Sequence, residues 1–159
     1  ALQERHQLGS LLGRGGFGSV YMGAVYICVW RMAPCLTDGI LVFLQSNGTR
    51  VPLETELLDK VSTGLHSVVQ LLDWFELCHH FLLVMKCPER SQDLFDIILL
   101  WGLLSEEVVQ GLFRHVLEAV RHCSSCEVLH RDTEPDNILL NLASGEAKLV
   151  DFGCGTYLQ

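Results

Sequence analysis

Gly13, Gly15, Gly16 and Gly18 crowd the six-residue string Gly13-Arg14-Gly15-Gly16-Phe17-Gly18, and Ser19-Val20-Tyr21 follows it directly. Glycine clusters also mark ordinary turns, so the flanks decide what such a string builds. A dinucleotide-binding glycine turn runs from strand into helix, and a Walker loop needs Gly-Lys-Ser/Thr. Here the G-x-G-x-x-G-x-V spacing lies between strand formers, His6 to Leu12 before it and Ser19 to Trp30 after it, with Val20, Tyr21, Val25, Ile27 and Val29. The expectation is a hairpin flap whose backbone approaches phosphates, at the start of a β-rich region.

Strand signals dominate the first half. Pro34, Asp38-Gly39 and Asn47-Gly48 mark turns around Ile40 to Leu44, an apolar run that the pattern alone does not assign. From Pro52, suited to a first helical position, Leu53, Leu57, Leu58 and Val61 recur at helical spacing, with Glu54 on their face. Val68 to Phe75 and Phe81 to Met85 read as two more strands, with Leu77 to His80 as their turn. In the second half Ser105 is a natural N-cap, and Glu106 and Glu107 favour the positive end of a helix. Val109, Leu112, Phe113, Val116, Leu117 and Val120 continue that helix as one stripe, offsetting the cost of Gly111, ~1 kcal/mol against alanine. Ile138 to Leu140 and Lys148 to Val150 flank a Gly145-containing turn and predict a small hairpin.

Composition narrows the function. A 159-residue chain with 49% hydrophobic residues and few prolines is a single globular domain rather than a disordered one. A net charge of −8 argues against nucleic acid or anionic lipid as partner. The longest apolar stretches, Ala24 to Trp30 and Phe81 to Met85, fall short of the ~18–20 residues of a membrane span. The polar start, Ala1 to His6, lacks the form of a secretory signal, so a cytoplasmic or nuclear location is expected. Cys123-x-x-Cys126 lies near His122 and His130, but the other cysteines are scattered, which predicts neither a zinc site nor a disulfide framework.

Two further constellations carry chemistry. His130-Arg131-Asp132 is followed by Asn137, and Asp151-Phe152-Gly153 comes after the predicted hairpin. Phosphoryl transfer needs little covalent work; a site must position a hydroxyl and neutralise charge. Asp132 suits the proton acceptor, and Asn137 and Asp151 suit oxygen ligands for Mg²⁺. Either motif alone would be weak; all three in this order are specific.

On these residues the chain resembles the eukaryotic protein kinases, and within them the Pim serine/threonine kinases. The narrower likeness rests on Leu11-Leu12-Gly13 leading into Gly15 to Tyr21, on Asn47 to Pro52, Leu71 to Phe75 and Gln92 to Phe95, and on Val116 to Cys123 running to Val128-Leu129-His130-Arg131-Asp132. It covers nearly the whole chain except residues 22 to 46. The resemblance implies an α+β kinase-like fold, with a β-rich N-terminal lobe over about residues 1–86 and the start of a helical lobe over 87–159, joined by a hinge near Lys86-Cys87-Pro88. It implies ATP and Mg²⁺ as cofactors, with Leu12, Gly13, Gly15, Gly16, Phe17, Gly18, Val20, Glu54 and Lys86 around the nucleotide. It further implies protein substrates, basic Ser/Thr peptides met by Asp93, Asp96 and Asp136.

The likeness breaks at three places. The V-A-I-K lysine that would pair with Glu54 has no counterpart: the lysines are Lys60, Lys86 and Lys148, and the only cations between Gly18 and Glu54 are Arg31 and Arg50. Glu54 is therefore expected either to turn to solvent or to hold a raised pKa. Glu134 stands where the family places a lysine against the transferred phosphate, so repulsion of that phosphate is expected. The chain reaches Gln159 shortly after Asp151-Phe152-Gly153, so the activation segment, the A-P-E motif and the later helices are expected to lie outside it, leaving the helix from Ser105 with exposed apolar surface. Two readings follow: a Pim-like ATP-dependent serine/threonine kinase segment, or an inactive pseudokinase-like module that binds protein.

Overall fold

A computed structural model describes residues 9–15, 18–22, 27–32, 42–44, 48–77, 80–88 and 90–159. The expected strand start at His6, the hairpin tip Gly16-Phe17, the turn signals Pro34 and Asp38-Gly39, and the turn residues Cys78-His79 lie outside these residues.

The glycine string folds as a hairpin. Strands β1 (Leu11–Gly15) and β2 (Gly18–Met22) pair antiparallel, with Gly13 opposite Val20, Gly15 opposite Gly18, and an irregularity between Leu11 and Gly13. Residues 22 to 46, outside the narrower likeness, supply a strand, β3 (Ile27–Met32), whose β-branched and aromatic residues suit a sheet. Its register sets Arg31 opposite Ser19 and Met32 opposite Gly18. Val42–Leu44 (β4), from the unassigned apolar run, pairs with Arg50–Pro52 (β5). Gly48, with φ +82, supports the turn before β5.

Helix α1 (Leu53–Val61) starts one residue later than the sequence predicts, because Pro52 keeps an extended conformation and stands at the N-cap. Glu54 and Glu56 occupy its first turn and Lys60 its last, matching the helix dipole, while Leu57, Leu58 and Val61 are buried. Strands β6 (Gln70–Leu77) and β7 (His80–Lys86) complete a five-stranded antiparallel sheet in the order β1-β2-β3-β7-β6. His80 pairs with Leu77 in the ladder, although the sequence reading placed it in the turn.

Beyond β7 lie two elements that the sequence reading did not foresee. Ser91–Asp93 forms β8, and Leu94–Trp101 forms α2, capped by the Asp93 carboxylate, which accepts the Asp96 N–H at 2.8 Å. Gly102, at φ +74, ends α2. The predicted long helix is α3 (Glu106–Ser125), with Ser105 as its N-cap. Its stripe is not uniformly buried: Leu112, Ala119 and Cys123 face the core, whereas Val108, Val109, Phe113 and Leu117 are exposed. The exposed face of α3 is as expected, and Leu99, Leu100, Trp101 and Leu103 are exposed as well, which the sequence did not foreshadow.

Short strands follow: β9 (Val128–Leu129), the predicted hairpin β10 (Ile138–Asn141) and β11 (Ala147–Leu149), and β12 (Thr156–Tyr157). β8 joins the hairpin as a third strand, and β12 pairs with β9. One core unites the halves: Leu57, Leu58 and Val61 of α1 and Leu83 of β7 share it with Ile97, Leu112, Val128, Ile138, Leu149 and Phe152. Cys87 is disulfide-bonded, which the scattered spacing did not foreshadow, while Cys123, Cys126 and Cys154 are free thiols. Among the described residues no helix is long and apolar enough to cross a membrane.

Candidate active site

His130 organises the catalytic segment. It is buried, its Nε2 lies 2.8 Å from the Val150 carbonyl, and its Nδ1 accepts the Asp132 backbone N–H at 3.3 Å. Since a carbonyl only accepts, Nε2 carries the hydrogen and the ring is neutral. Burial depresses its pKa, against the Val150 bond and the charges of Asp151 and Asp132. Phe152, fully buried, packs edge-on against the ring with centroids 4.6 Å apart. Asp132 and Asp151 are thereby brought to one place by residues between and beside them.

Two non-glycine residues here adopt left-handed backbone, Arg131 at φ 66 and Asp151 at φ 59. Such conformations cost on the order of 1 kcal/mol each and persist where surrounding bonds impose them. Arg131 Nε donates to the Cys154 carbonyl at 2.8 Å, and the Asp151 carboxylate accepts the Gly153 N–H at 3.0 Å. Asn137 is buried, and its side-chain nitrogen donates to the Asp132 carbonyl at 2.9 Å, while its own carbonyl accepts the Val150 N–H. That commitment leaves the Asn137 amide oxygen and the half-exposed Asp151 carboxylate as the oxygen donors of the site. They fit a hard divalent cation, and the neighbouring carboxylates of Asp132, Glu134 and Asp136 add to the negative field that would attract one.

Asp132 is crowded in ways the sequence did not reveal. The exposed Glu134 carboxyl has a raised pKa, first through a hydrogen bond with the Asp132 side chain, then through the Asp132 charge, with smaller effects of desolvation and Asp136. The Cys154 thiol is likewise pushed up, first by burial and then by the charge and side chain of Asp132. Glu134 thus bears on Asp132 itself. An i, i+2 pair of acids in Asp132-Thr133-Glu134 was the available signal.

Glu54 takes the second of its two expected courses. It stays buried, and its pKa is raised to about 8, chiefly by desolvation and secondly by the Asp151 charge, with the Phe152 backbone amide acting in the opposite sense. Its Oε2 has no hydrogen-bond partner among the described residues. Arg50 is exposed on β5, and Arg31 occupies a β3 position in the strand where kinases carry the lysine. Other contacts hold α1. Leu57 packs so closely on Gly155 that a Cβ there would come within 2.7 Å of Leu57 Cδ1 and 2.9 Å of the Phe152 carbonyl. Lys60 pairs with Glu127 at 2.9 Å and lies over the Tyr157 ring, whose hydroxyl is pushed to about 12 by burial and by Glu56.

The remaining candidates divide. Gly13, Gly15 and Gly18 lie in the hairpin ladder, Leu12 is exposed and Val20 half-buried, whereas Gly16 and Phe17 lie outside the described residues. Lys86 ends β7 with an exposed side chain that lines a cleft together with Lys148. Asp96 and Asp136 are exposed, but Asp93 spends one oxygen capping α2.

Comparison with known proteins agrees with this geometry. Residues 6–159 match the family described as protein kinase domain. The chain is 37% identical over 160 residues to Serine/threonine-protein kinase prk-2 of Caenorhabditis elegans and 36% identical over 168 residues to Serine/threonine-protein kinase pim-2 of Danio rerio, with 99% of this chain aligned in each case. It is 29% identical over 170 residues to Calcium-dependent protein kinase 22 of Arabidopsis thaliana, again across 99% of the chain. These alignments span 36%, 54% and 32% of the three relatives.

Proposed function

Since the chain belongs to the protein kinase family and its similar relatives include kinases named for serine and threonine, we propose that it is the nucleotide-binding and catalytic-loop part of a Pim-type kinase that transfers the ATP γ-phosphate to protein Ser/Thr. The observation that carries this reading is the convergence of Asp132, Asn137 and Asp151 around the buried His130–Phe152 pair. In this reading the lobes divide at the hinge, with about residues 1–86 on one side and 87–159 on the other.

The β1–β2 hairpin, with Val20 in it, would approach the phosphates through main-chain N–H groups. Asn137 and Asp151 would hold Mg²⁺, which would supply neutralisation of phosphate charge when bound. Asp132 orients the substrate hydroxyl and accepts its proton, while His130 and the Asn137 amide fix the backbone that carries it. Glu134 opposes this, because a second carboxylate beside Asp132 repels the γ-phosphate. The same proposal takes basic Ser/Thr peptides as substrates, met by the exposed Asp96 and Asp136 and the remaining oxygen of Asp93. It places the protein in the cytoplasm or nucleus, where ATP and Mg²⁺ are abundant.

Glu54 without a described cation and Glu134 against Asp132 favour the second reading, a site that binds nucleotide poorly and serves in protein contact. Calorimetric titration of the full chain with Mg-ATP separates the two. We expect a dissociation constant of about 100 μM or weaker, lost in Asp151→Asn and tightened several-fold in Glu134→Lys. No heat in any variant would overturn nucleotide binding; micromolar affinity in the parent would show that the missing lysine and Glu134 matter less than argued.

A further inference from the structure

A cleft of about 230 Å³ opens behind the end of β7. Leu65, Val68 and Pro88 form its apolar part, and Lys86, Lys148 and Glu146 bring the charges. Apart from Lys86, none of the residues assigned to nucleotide, metal or proton transfer lines it. We propose that this cleft is a binding site for a small oxyanion, the phosphate or carboxylate group of a low-molecular-weight ligand, held between the Lys86 and Lys148 ammonium groups and separate from the nucleotide site.

The charge distribution carries the argument. The chain has three lysines and a net charge of −8, yet two of the three face one cleft. Main-chain bonds enforce the approach: the Val69 N–H donates to the Leu149 carbonyl at 3.0 Å and the Leu149 N–H to the Ser67 carbonyl at 2.8 Å, which docks β11 beside the segment leading into β6. Lys148 is half-buried, and its Nζ donates to the His66 carbonyl. Burial lowers the Lys148 pKa and the Lys86 charge lowers it further, while Glu146 acts in the opposite sense. The two ammonium groups therefore sense one another.

Among the described residues neither joins an ion pair, the only one being Lys60 with Glu127, and the Glu146 carboxylate at the rim, whose charge favours the Lys148 ammonium, also accepts the Ser144 hydroxyl at 3.1 Å. An ammonium has three N–H donors, and Lys148 spends one on His66, so two converging donor sets stay available to a group with several acceptor oxygens. Two cations against one carboxylate leave the cleft positive within an acidic molecule. Size selects the ligand class: drug-sized ligands occupy clefts of ~300–1,000 Å³. At about 230 Å³ this one suits an oxyanion with a few attached carbons, whose apolar part would rest on Val68 and Pro88.

The test is calorimetric titration of the full chain with inorganic phosphate and, separately, acetate, at ionic strength held constant with chloride. The expected result is saturable binding with a dissociation constant on the order of 1 mM. Lys86→Met and Lys148→Met should each weaken it at least about fivefold, and Lys148→Arg should retain it. Tighter binding of phosphate than acetate would assign a phosphate ligand, and the reverse a carboxylate. Lys86 is exposed, so its variant folds as the parent does and serves if Lys148→Met does not. Absence of saturation by about 50 mM for both ions, or binding that neither methionine variant alters beyond twofold, would overturn the proposal, the second because the ion would then sit elsewhere, such as under the glycine hairpin.

Discussion

The catalytic segment around His130 and the Glu54 region belong to the same family match, yet they meet its requirements very differently. From His130 to Gly155 the geometry is held by hydrogen bonds that each have a main-chain partner: His130 to Val150, Asn137 to Asp132, Arg131 to Cys154, Asp151 to Gly153. Every sequence supplies such partners. Glu54 depends instead on a side chain arriving from another strand, and β3 comes from the stretch outside the narrower Pim likeness, although the kinase family match runs through it. The strand survives because its register needs only backbone and strand-forming residues. Among the described residues no cation meets Glu54, and Oε2 has no hydrogen-bond partner. Main-chain scaffolding tolerates a change of side chain better than a charge pair between distant elements does.

The comparison predicts that the catalytic segment fails only when its core support is removed. Phe152 is fully buried and packs on His130, between that ring and the segment facing α1. Phe152→Ala should destabilise the chain by about 3–5 kcal/mol, the range for truncating a buried phenylalanine. Denaturant unfolding measures it. A loss under about 1 kcal/mol would mean that the hydrogen bonds alone hold the segment and that the core contributes little there.

These contrasts explain what the sequence disclosed. The hairpin, β6, β7, α3 and the β10–β11 pair were legible because periodicity, caps and turn residues are local signals. Helix α2 was missed because Leu94-Phe95-Asp96-Ile97-Ile98-Leu99-Leu100-Trp101 is apolar nearly all round, and only Ile97 is buried. Period reading fails when a helix has no polar face. In the site, Asp132, Asn137 and Asp151 were legible from residue type and spacing, whereas the left-handed backbone at Arg131 and Asp151 was not, since neither residue type demands it. The helical face of Glu54 was legible, but the choice between turning to solvent and holding a raised pKa was not, since burial decides it.

The second test concerns the weaker region. Between 4.5, the ordinary value, and about 8, folded Glu54 keeps a proton that the unfolded chain has released. The folded state then binds more protons than the unfolded one, so this group lowers stability progressively as pH rises through that window, by on the order of 5 kcal/mol. His130 works oppositely, because its depressed folded pKa makes stability rise as pH approaches 6.5 from below. Glu54→Gln isolates the carboxyl: its stability should exceed the parent's at pH 8 and approach it near pH 4.5. Identical pH profiles for the two proteins would show that Glu54 already has a counterion, for which Arg31 in β3 is the nearest candidate by sequence. A lysine placed at Met32 or Arg31 that reaches Glu54 should abolish the excess.

The smallest effect separates a structural acid from a recognition acid. Asp93 caps α2 through one oxygen, a local bond of the kind that characterises the better-preserved region, whereas Asp96 and Asp136 are exposed. Asp93→Ala should cost about 1 kcal/mol, while Asp93→Asn should change stability by only a few tenths, because asparagine caps as well as aspartate. Thermal or denaturant unfolding reads both. An arginine-rich peptide titrated onto the same variants adds the second axis. If Asp93→Asn weakened that peptide as much as Asp96→Asn or Asp136→Asn while leaving stability unchanged, the free oxygen of Asp93 would share in recognition. If Asp93→Asn left the peptide unaffected and Asp93→Ala lost only stability, its carboxylate would be spent on the helix, and the acidic surface offered to a basic substrate would reduce to Asp96 and Asp136.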